Sequence, residues 1–176
     1  RARNVRDGGA GSPAPGTRRA APTDGVLHDR WVSPMTDYDS MRRHMVDGQI
    51  LPSRVTDPRL IEALSSVPRE RFAPAEKRAI AYVDEDLEIA PGRYLMEPVV
   101  LARLLQAADV TAADNVLDVG CATGYAAAVL SRLAASVVAL ESDSDLAGSA
   151  AAALADLGAD NALVVEGPLP DGCPDL

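Results

Sequence analysis

The sequence predicts a three-layer α/β fold built on a mostly parallel sheet, and three observations predict it. Asn115 to Val119 is a short apolar run that breaks into Gly120-Cys121-Ala122-Thr123-Gly124 and then into an alanine-rich helical stretch, Tyr125 to Ala134. Two further apolar runs, Ser136 to Leu140 and Ala162 to Val165, follow with a helical stripe between them. Both of these runs end on a carboxylate, Glu141 and Glu166. Strands and helices alternating at this spacing build a parallel, Rossmann-like sheet whose ligand sits at the strand C-termini.

Taken in order, residues 1–34 differ from the rest. They carry a net charge of +3 in a chain whose total is −9, and Gly8, Gly9, Gly11, Gly16, Pro13, Pro15 and Pro22 interrupt any periodicity. This stretch is expected to be a disordered N-terminal extension. It has no apolar core of a secretory signal. Met35 opens a better-patterned region and is the expected natural start, with 1–34 as upstream read-through. Detecting 1–34 by mass spectrometry in protein from the native host would remove that reading. A basic arm for nucleic acid is the alternative, but aromatics are not interleaved with its arginines.

Residues 37–49 read as a helix with Met41 and Met45 one turn apart. Asp57-Pro58 is an N-cap and N1 pair, and Leu60, Ile61, Leu64 and Val67 form one face before Pro68 stops the helix. A short helix is expected near Pro74. Leu87-Glu88-Ile89 alternates like a strand and ends at the Pro91-Gly92 turn. Glu97-Pro98 opens a further helix, with Val100, Leu101, Leu104 and Leu105 expected to face a core. After the first buried strand and its helix, Ser144 or Asp145 is the expected cap of a helix striped by Leu146, Ala150, Ala153, Leu154 and Leu157. Gly158 suits the C′ position. Only three strands precede Pro168, Pro170 and Pro174, whereas a doubly wound sheet needs more. The expectation is a parallel half-sheet over 116–167, with C-terminal strands missing, an unpaired strand edge and an uncovered apolar face.

The turn after Val119 narrows the ligand. A helix N-terminus offers free N–H groups to ligand oxygens, and Gly120 and Gly124 allow a sharp turn and close approach. The dinucleotide fingerprint wants glycine at its first, third and sixth positions, which here are Gly120, Ala122 and Tyr125. Tyrosine at the last is wrong for packing against a pyrophosphate, which disfavours a nicotinamide oxidoreductase. The pattern present is Asp118-x-Gly120-x-Ala122-x-Gly124. Asp118 suits a cationic, amino-acid-bearing cofactor. Glu141, 21 residues beyond Gly120, is placed to accept hydrogen bonds from both ribose hydroxyls. Glu166 is placed to accept from an adenine amino group.

Composition excludes several classes. The net charge of −9 argues against a nucleic-acid partner, since phosphate binding needs a basic face. No run of about 18 apolar residues signals a membrane span. Cys121 and Cys173 have neither metal-ligand spacing nor a disulfide framework, which fits a reducing cytoplasm. His28 and His44 have no evident catalytic partner.

The Asp118-to-Gly124 pattern resembles motif I of the class I S-adenosylmethionine (SAM) methyltransferases, with Ala122 where glycine is usual. Over most of 37–172 the chain resembles the protein-L-isoaspartate O-methyltransferase family. The resemblance rests on the helix from Met41 to Gln49, on Asp57-Pro58-Arg59-Leu60-Ile61-Glu62-Ala63-Leu64, and on Val67-Pro68-Arg69-Glu70-Arg71-Phe72-Ala73-Pro74. It continues through Ala81-Tyr82-Val83-Asp84, Gly92 and Pro98, and motif I. It implies a class I SAM-dependent methyltransferase fold over 35–176. It also implies SAM as cofactor, held by Asp118, Gly120, Cys121, Ala122, Gly124, Glu141 and Glu166. The implied reaction methylates carboxylates of damaged aspartyl residues, as protein repair. The implied partner is a protein or peptide bearing a carboxylate acceptor, and the complete protein is expected to be a monomer.

Such chemistry asks little of acid–base groups. A carboxylate is ionised at neutral pH and attacks the sulfonium methyl directly, so alignment and exclusion of water matter most. In the family the loop before the helix reads Gly-x-x-x-Ser-Gln-Pro; here it is Gly92-Arg93-Tyr94-Leu95-Met96-Glu97-Pro98. Met96 stands at the serine position and cannot donate an O–H bond. Glu97 brings a negative charge that repels an anionic substrate, which Arg93 can offset. Isoaspartyl activity is therefore expected to be impaired. The alternative reading is a SAM-binding or interaction module without catalysis, or an incomplete fragment.

Overall fold

The computed structural model describes residues 36–174, so the expected extension 1–34 and His28 lie outside the described residues. Helix α1, Tyr38–Met45, begins where the Asp37 carboxylate accepts the Ser40 N–H at 2.9 Å. It runs on through a π-helical turn, Val46–Ile50, and a 3-10 turn, Leu51–Ser53, that ends at Arg54 with φ of 64°. Helix α2, Pro58–Ser66, has the expected Asp57 cap, whose Oδ1 accepts the Arg59 N–H at 2.9 Å, and buries Leu60, Ala63 and Leu64. The chain then makes two 3-10 turns, Arg69–Phe72 and Ala75–Ile80.

Strand β1, Leu87–Ala90, pairs antiparallel with β2, Arg93–Leu95, around Gly92 at φ +69°. The sequence reading treated 92–98 as loop. Three residues are too few to show alternation, and the hairpin pairing creates β2. Helix α3, Pro98–Ala108, corrects the expected core face: Leu101 and Ala102 are buried, but Val100 and Leu104 are 38% and 54% exposed. The helix packs on α2 and the Val46–Ile50 turn. Its inward stripe is therefore Pro98, Leu101, Ala102 and Leu105, one step round from the stripe expected.

The second half is the predicted alternation. Strand β3 is Asn115–Val119, α4 Tyr125–Leu130, β4 Ser136–Glu141, α5 Ser144–Asp156 and β5 Ala162–Glu166. The strands are parallel in the order β3-β4-β5, with Val119 opposite Leu140 and Glu141 opposite Glu166. Helix α4 stops at Leu130, short of Ala134. Helix α5 is capped by Asp143 rather than by Ser144 or Asp145. Asp143 keeps an extended backbone, φ −95° and ψ 119°, and its Oδ1 accepts from Asp145 and Leu146 N–H at 3.0 and 3.1 Å.

Helices α4 and α5 pack against the strands, and Ala127, Ala128, Ala147 and Ala150 are small enough to let them lie close. The same core takes in Met45, Ile50, Leu60, Leu64 and Phe72 from the N-terminal elements. β3 is not the fully buried strand expected. Its residues alternate, with Leu117 and Val119 exposed at 43% and 51%, as is Leu163 of β5 at 52%. Among the described residues β3 has a strand partner on one edge only.

One contact fixes how closely α5 approaches the turn between β3 and α4. Gly124 has φ +89°, and a Cβ there would stand 3.0 Å from Ala150 Cβ and 3.3 Å from its Cα. Gly124→Ala is expected to cost about 2–4 kcal/mol, from left-handed backbone strain and overpacking together. Urea unfolding checks this; a loss under about 0.5 kcal/mol would contradict the packing described.

Candidate functional site

The turn between β3 and α4 is held by its own backbone. Gly120, Ala122 and Gly124 have φ of 78°, 53° and 89°. The N–H groups of Gly120 and Cys121 both donate to the Leu140 carbonyl, at 2.8 and 3.1 Å. Ala122 N–H donates to Glu141 Oε2 at 2.8 Å, and Gly124 N–H to the Cys121 carbonyl at 2.8 Å. The expected set of free N–H groups for ligand oxygens is therefore corrected: four of the turn's donors are spent internally. A phosphate would find few partners here, which agrees with the exclusion of a pyrophosphate drawn from Tyr125. Tyr125 itself is buried, edge-on to Phe72 at 5.4 Å between ring centres.

Two carboxylates converge on this turn and titrate in opposite directions. Glu141 is fully buried at the end of β4. Its Oε1 accepts from Arg93 Nη1 at 2.9 Å and from the N–H groups of Ser142 and Asp143 at 2.8 and 3.0 Å. Its Oε2 accepts from Arg93 Nη2 and from Ala122. Burial alone would raise its pKa, but the Arg93, Asp143, Ala122 and Ser142 bonds outweigh burial and hold it at about 2. Asp118 has no such donors. Burial first, and the Glu141 charge second, push it up to about 6, and its Oδ2 is buried without a hydrogen-bond partner. The same surroundings push the Cys121 thiol up to about 12, burial first and then Asp118 and Glu141. Cys121 is thus a packing residue of the turn and not a nucleophile. Glu166 lies beside Glu141 in register and is exposed.

Glu141 makes a pH prediction. Its folded pKa is depressed from an ordinary value of 4.5, so its contribution is present above about pH 4.5 and is lost as pH falls toward 2. That contribution is about 3 kcal/mol. Wild-type stability should fall across this window, and Glu141→Gln should flatten the fall; parallel acid unfolding curves for the two proteins would count against it.

The loop from Gly92 to Pro98 brings up the remaining predicted residues. Met96 is 40% exposed. Glu97 precedes α3 without its side chain capping it; instead its N–H donates to Asp86 Oδ1 at 2.9 Å. A residue that sequence reasoning assigned no role organises this loop. Arg69 is completely buried, and its Nε and Nη2 donate to the carbonyls of Ala81 and Met96 at 2.6 and 2.7 Å. Its guanidinium also lies 4.8 Å from the centre of the Tyr125 ring. The signal for it was its place in the Val-Pro-Arg block. Thr123 ties the same block to the turn, donating from Oγ1 to the Phe72 carbonyl at 2.7 Å. A shallow cavity of about 420 Å³ lies elsewhere, against the starts of β3 and β4 at Asn115, Val116, Leu117, Ser136, Val138 and Cys173.

Comparisons with known proteins agree with this geometry. A family model described as protein-L-isoaspartate(D-aspartate) O-methyltransferase matches residues 40–175. A protein-L-isoaspartate O-methyltransferase of Roseiflexus castenholzii is 40% identical over 139 residues, 79% of this chain and 63% of that one. Protein-L-isoaspartate O-methyltransferase 2 of an Anaeromyxobacter species is 41% identical over 70% of this chain and 51% of its own. The chain thus spans about half to two-thirds of the curated relatives it matches. Among solved structures, a protein-L-isoaspartate O-methyltransferase superposes with a TM-score of 0.65 at 22% identity, covering 79% of this chain and 44% of that one. A Plasmodium falciparum protein described as a β-aspartate methyltransferase, solved with S-adenosyl-L-homocysteine, superposes at 0.59 and 17% identity, covering 74% and 62%. These two likenesses show the Rossmann-like class I methyltransferase fold. With a family model covering most of its length and relatives near 40% identity, the chain belongs to the protein-L-isoaspartate(D-aspartate) O-methyltransferase family.

Proposed function

We propose that this chain carries the cofactor site of a SAM-dependent carboxyl methyltransferase that acts on isoaspartyl residues of damaged proteins. The observation that carries this reading is the pair of carboxylates, Asp118 and Glu141, at a turn that spends four of its own N–H groups internally. The residues fit SAM better than a nucleotide phosphate. Asp118 Oδ2, buried and unpartnered, suits the ammonium of an amino-acid moiety. Glu141 suits a ribose diol. Cys121 and Ala122 would shape the turn at Gly120 and Gly124, and Glu166 would face the adenine amino group. SAM, when bound, supplies an activated methyl on a sulfonium. The acceptor carboxylate is already ionised, so the protein holds no proton for this step. Its task is to align three atoms and keep water out. Met96 and Glu97 would border the acceptor. Neither donates a hydroxyl to it, so weak isoaspartyl turnover is expected. The relatives are named as methyltransferases, which favours an enzyme over a module that only binds the cofactor.

The same reading gives a protein substrate, a cytoplasmic location and a monomer. It needs no nucleic acid or membrane: the net charge is −9, and no helix among the described residues is long and apolar enough to cross a membrane. Calorimetric titration of the full chain with SAM, with NAD as control, tests the reading. Saturable SAM binding without NAD binding is the expected result. NAD binding without SAM binding would sink it.

A further inference from the structure

The Glu141 carboxylate is already full. Its two oxygens accept five N–H bonds, two from Arg93 and one each from Ala122, Ser142 and Asp143. A carboxylate offers about four lone-pair positions. A ribose diol bringing two O–H donors therefore has no place unless a present donor leaves. Ala122, Ser142 and Asp143 donate from backbone fixed by the β3–β4 pairing and by the Asp143 cap. Arg93 donates from a long side chain, 29% exposed, on a two-stranded hairpin outside the main sheet. It is the donor that can move at least cost.

Once released, the guanidinium belongs to the loop that also carries Met96 and Glu97, three and four residues on. That loop brings a negative charge, Glu97, to a site proposed to receive an anion. A planar, always-charged fork is suited to a carboxylate and holds it in two parallel bonds.

We propose that Arg93 has two positions: one on Glu141, as in this structure, and one on the acceptor carboxylate, which it takes when a cofactor diol claims Glu141. Cofactor binding then creates the acceptor site, and the order of binding is cofactor first. This rests on the methyltransferase reading of the site. Arg93 takes over the task of fixing the acceptor that Met96 cannot perform, and it offsets Glu97.

The test compares the full-length wild-type chain with Arg93→Gln and Arg93→Lys by calorimetry. The probes are S-adenosylhomocysteine and a short isoaspartyl peptide, with the corresponding peptide amide as control. Removing the competitor should tighten S-adenosylhomocysteine binding to Arg93→Gln about tenfold. The wild type should bind the isoaspartyl peptide only with S-adenosylhomocysteine present, and Arg93→Gln should lose that binding at least tenfold. Arg93→Lys should lie between, because an ammonium keeps the charge but not the fork. Should Arg93→Gln fold poorly, the wild-type Arg93 Nε–H resonance gives the same answer, shifting on addition of S-adenosylhomocysteine. Unchanged S-adenosylhomocysteine affinity, peptide binding equal in both proteins, or an unmoved Arg93 resonance in the bound state would overturn the proposal. Failure of every folded variant to bind S-adenosylhomocysteine would instead overturn the methyltransferase reading beneath it.

Discussion

Arg69→Met is expected to destabilise the protein by about 3 kcal/mol. The change strands the carbonyls of Ala81 and Met96, which receive bonds at 2.6 and 2.7 Å from the fully buried Arg69; the first bond is buried and the second partly so. Each stranded carbonyl costs about 1–3 kcal/mol, and the lost contact with the Tyr125 ring adds to it. Burying a guanidinium is itself unfavourable, and burial lowers its pKa. Relief of that burden offsets part of the loss and sets the net figure below the sum. Arg69→Lys should recover only a fraction, since one ammonium on a flexible stem reaches two carbonyls less well than a planar fork. Urea unfolding of the three proteins decides it. A methionine variant as stable as wild type would mean that the Met96 carbonyl finds another donor and that Arg69 does not position the loop.

Asp118→Asn is expected to move stability and cofactor affinity in opposite directions. Asp118 is a carboxyl whose folded pKa lies near 6, above its ordinary 3.8. The sign is the reverse of that for Glu141. The folded state disfavours the charged form, so a penalty enters as pH rises from about 4 to 6 and is complete above it. Asparagine removes the penalty. The variant should gain about 3 kcal/mol at pH 8 and nothing below pH 4. It should also bind SAM about 10- to 100-fold more weakly, because a neutral amide replaces the charge-assisted partner of the ammonium. Thermal unfolding at pH 4 and pH 8, with a SAM titration at pH 8, reads both effects. A variant less stable than wild type at pH 8 would contradict the unpartnered state of Asp118. Unchanged SAM affinity would remove it from the cofactor site.

The strands were readable because β4 and β5 are short apolar runs ending at acids, and their limits fall within a residue of those expected. The placement of Glu141 and Glu166 was readable for the same reason: position along a strand fixes which residue stands at its C-terminal tip. What could not be read depends on residues distant in sequence. Arg93 reaches Glu141 across 48 positions, and no local pattern records that pairing. Arg69 carries a charge, which on its own argues for the surface, and only the tertiary fold shows two carbonyls waiting inside. The free N–H groups expected at the turn are taken by three acceptors, the Leu140 and Cys121 carbonyls and Glu141 Oε2, whose aim no local pattern records. The α3 stripe lies one step round the helix from the one expected, because six of the eight residues from Pro98 to Leu105 are apolar and fit two faces nearly equally well.

The Leu140 carbonyl has a consequence for the thermodynamics of association. By taking the N–H groups of Gly120 and Cys121 together, Leu140 freezes the turn before any cofactor arrives. Ordering a loose loop costs about 1–2 kcal/mol per residue in backbone entropy, and this turn has already lost that freedom on folding. The turn acts as a rigid seat, so cofactor binding there is expected to draw little on backbone entropy.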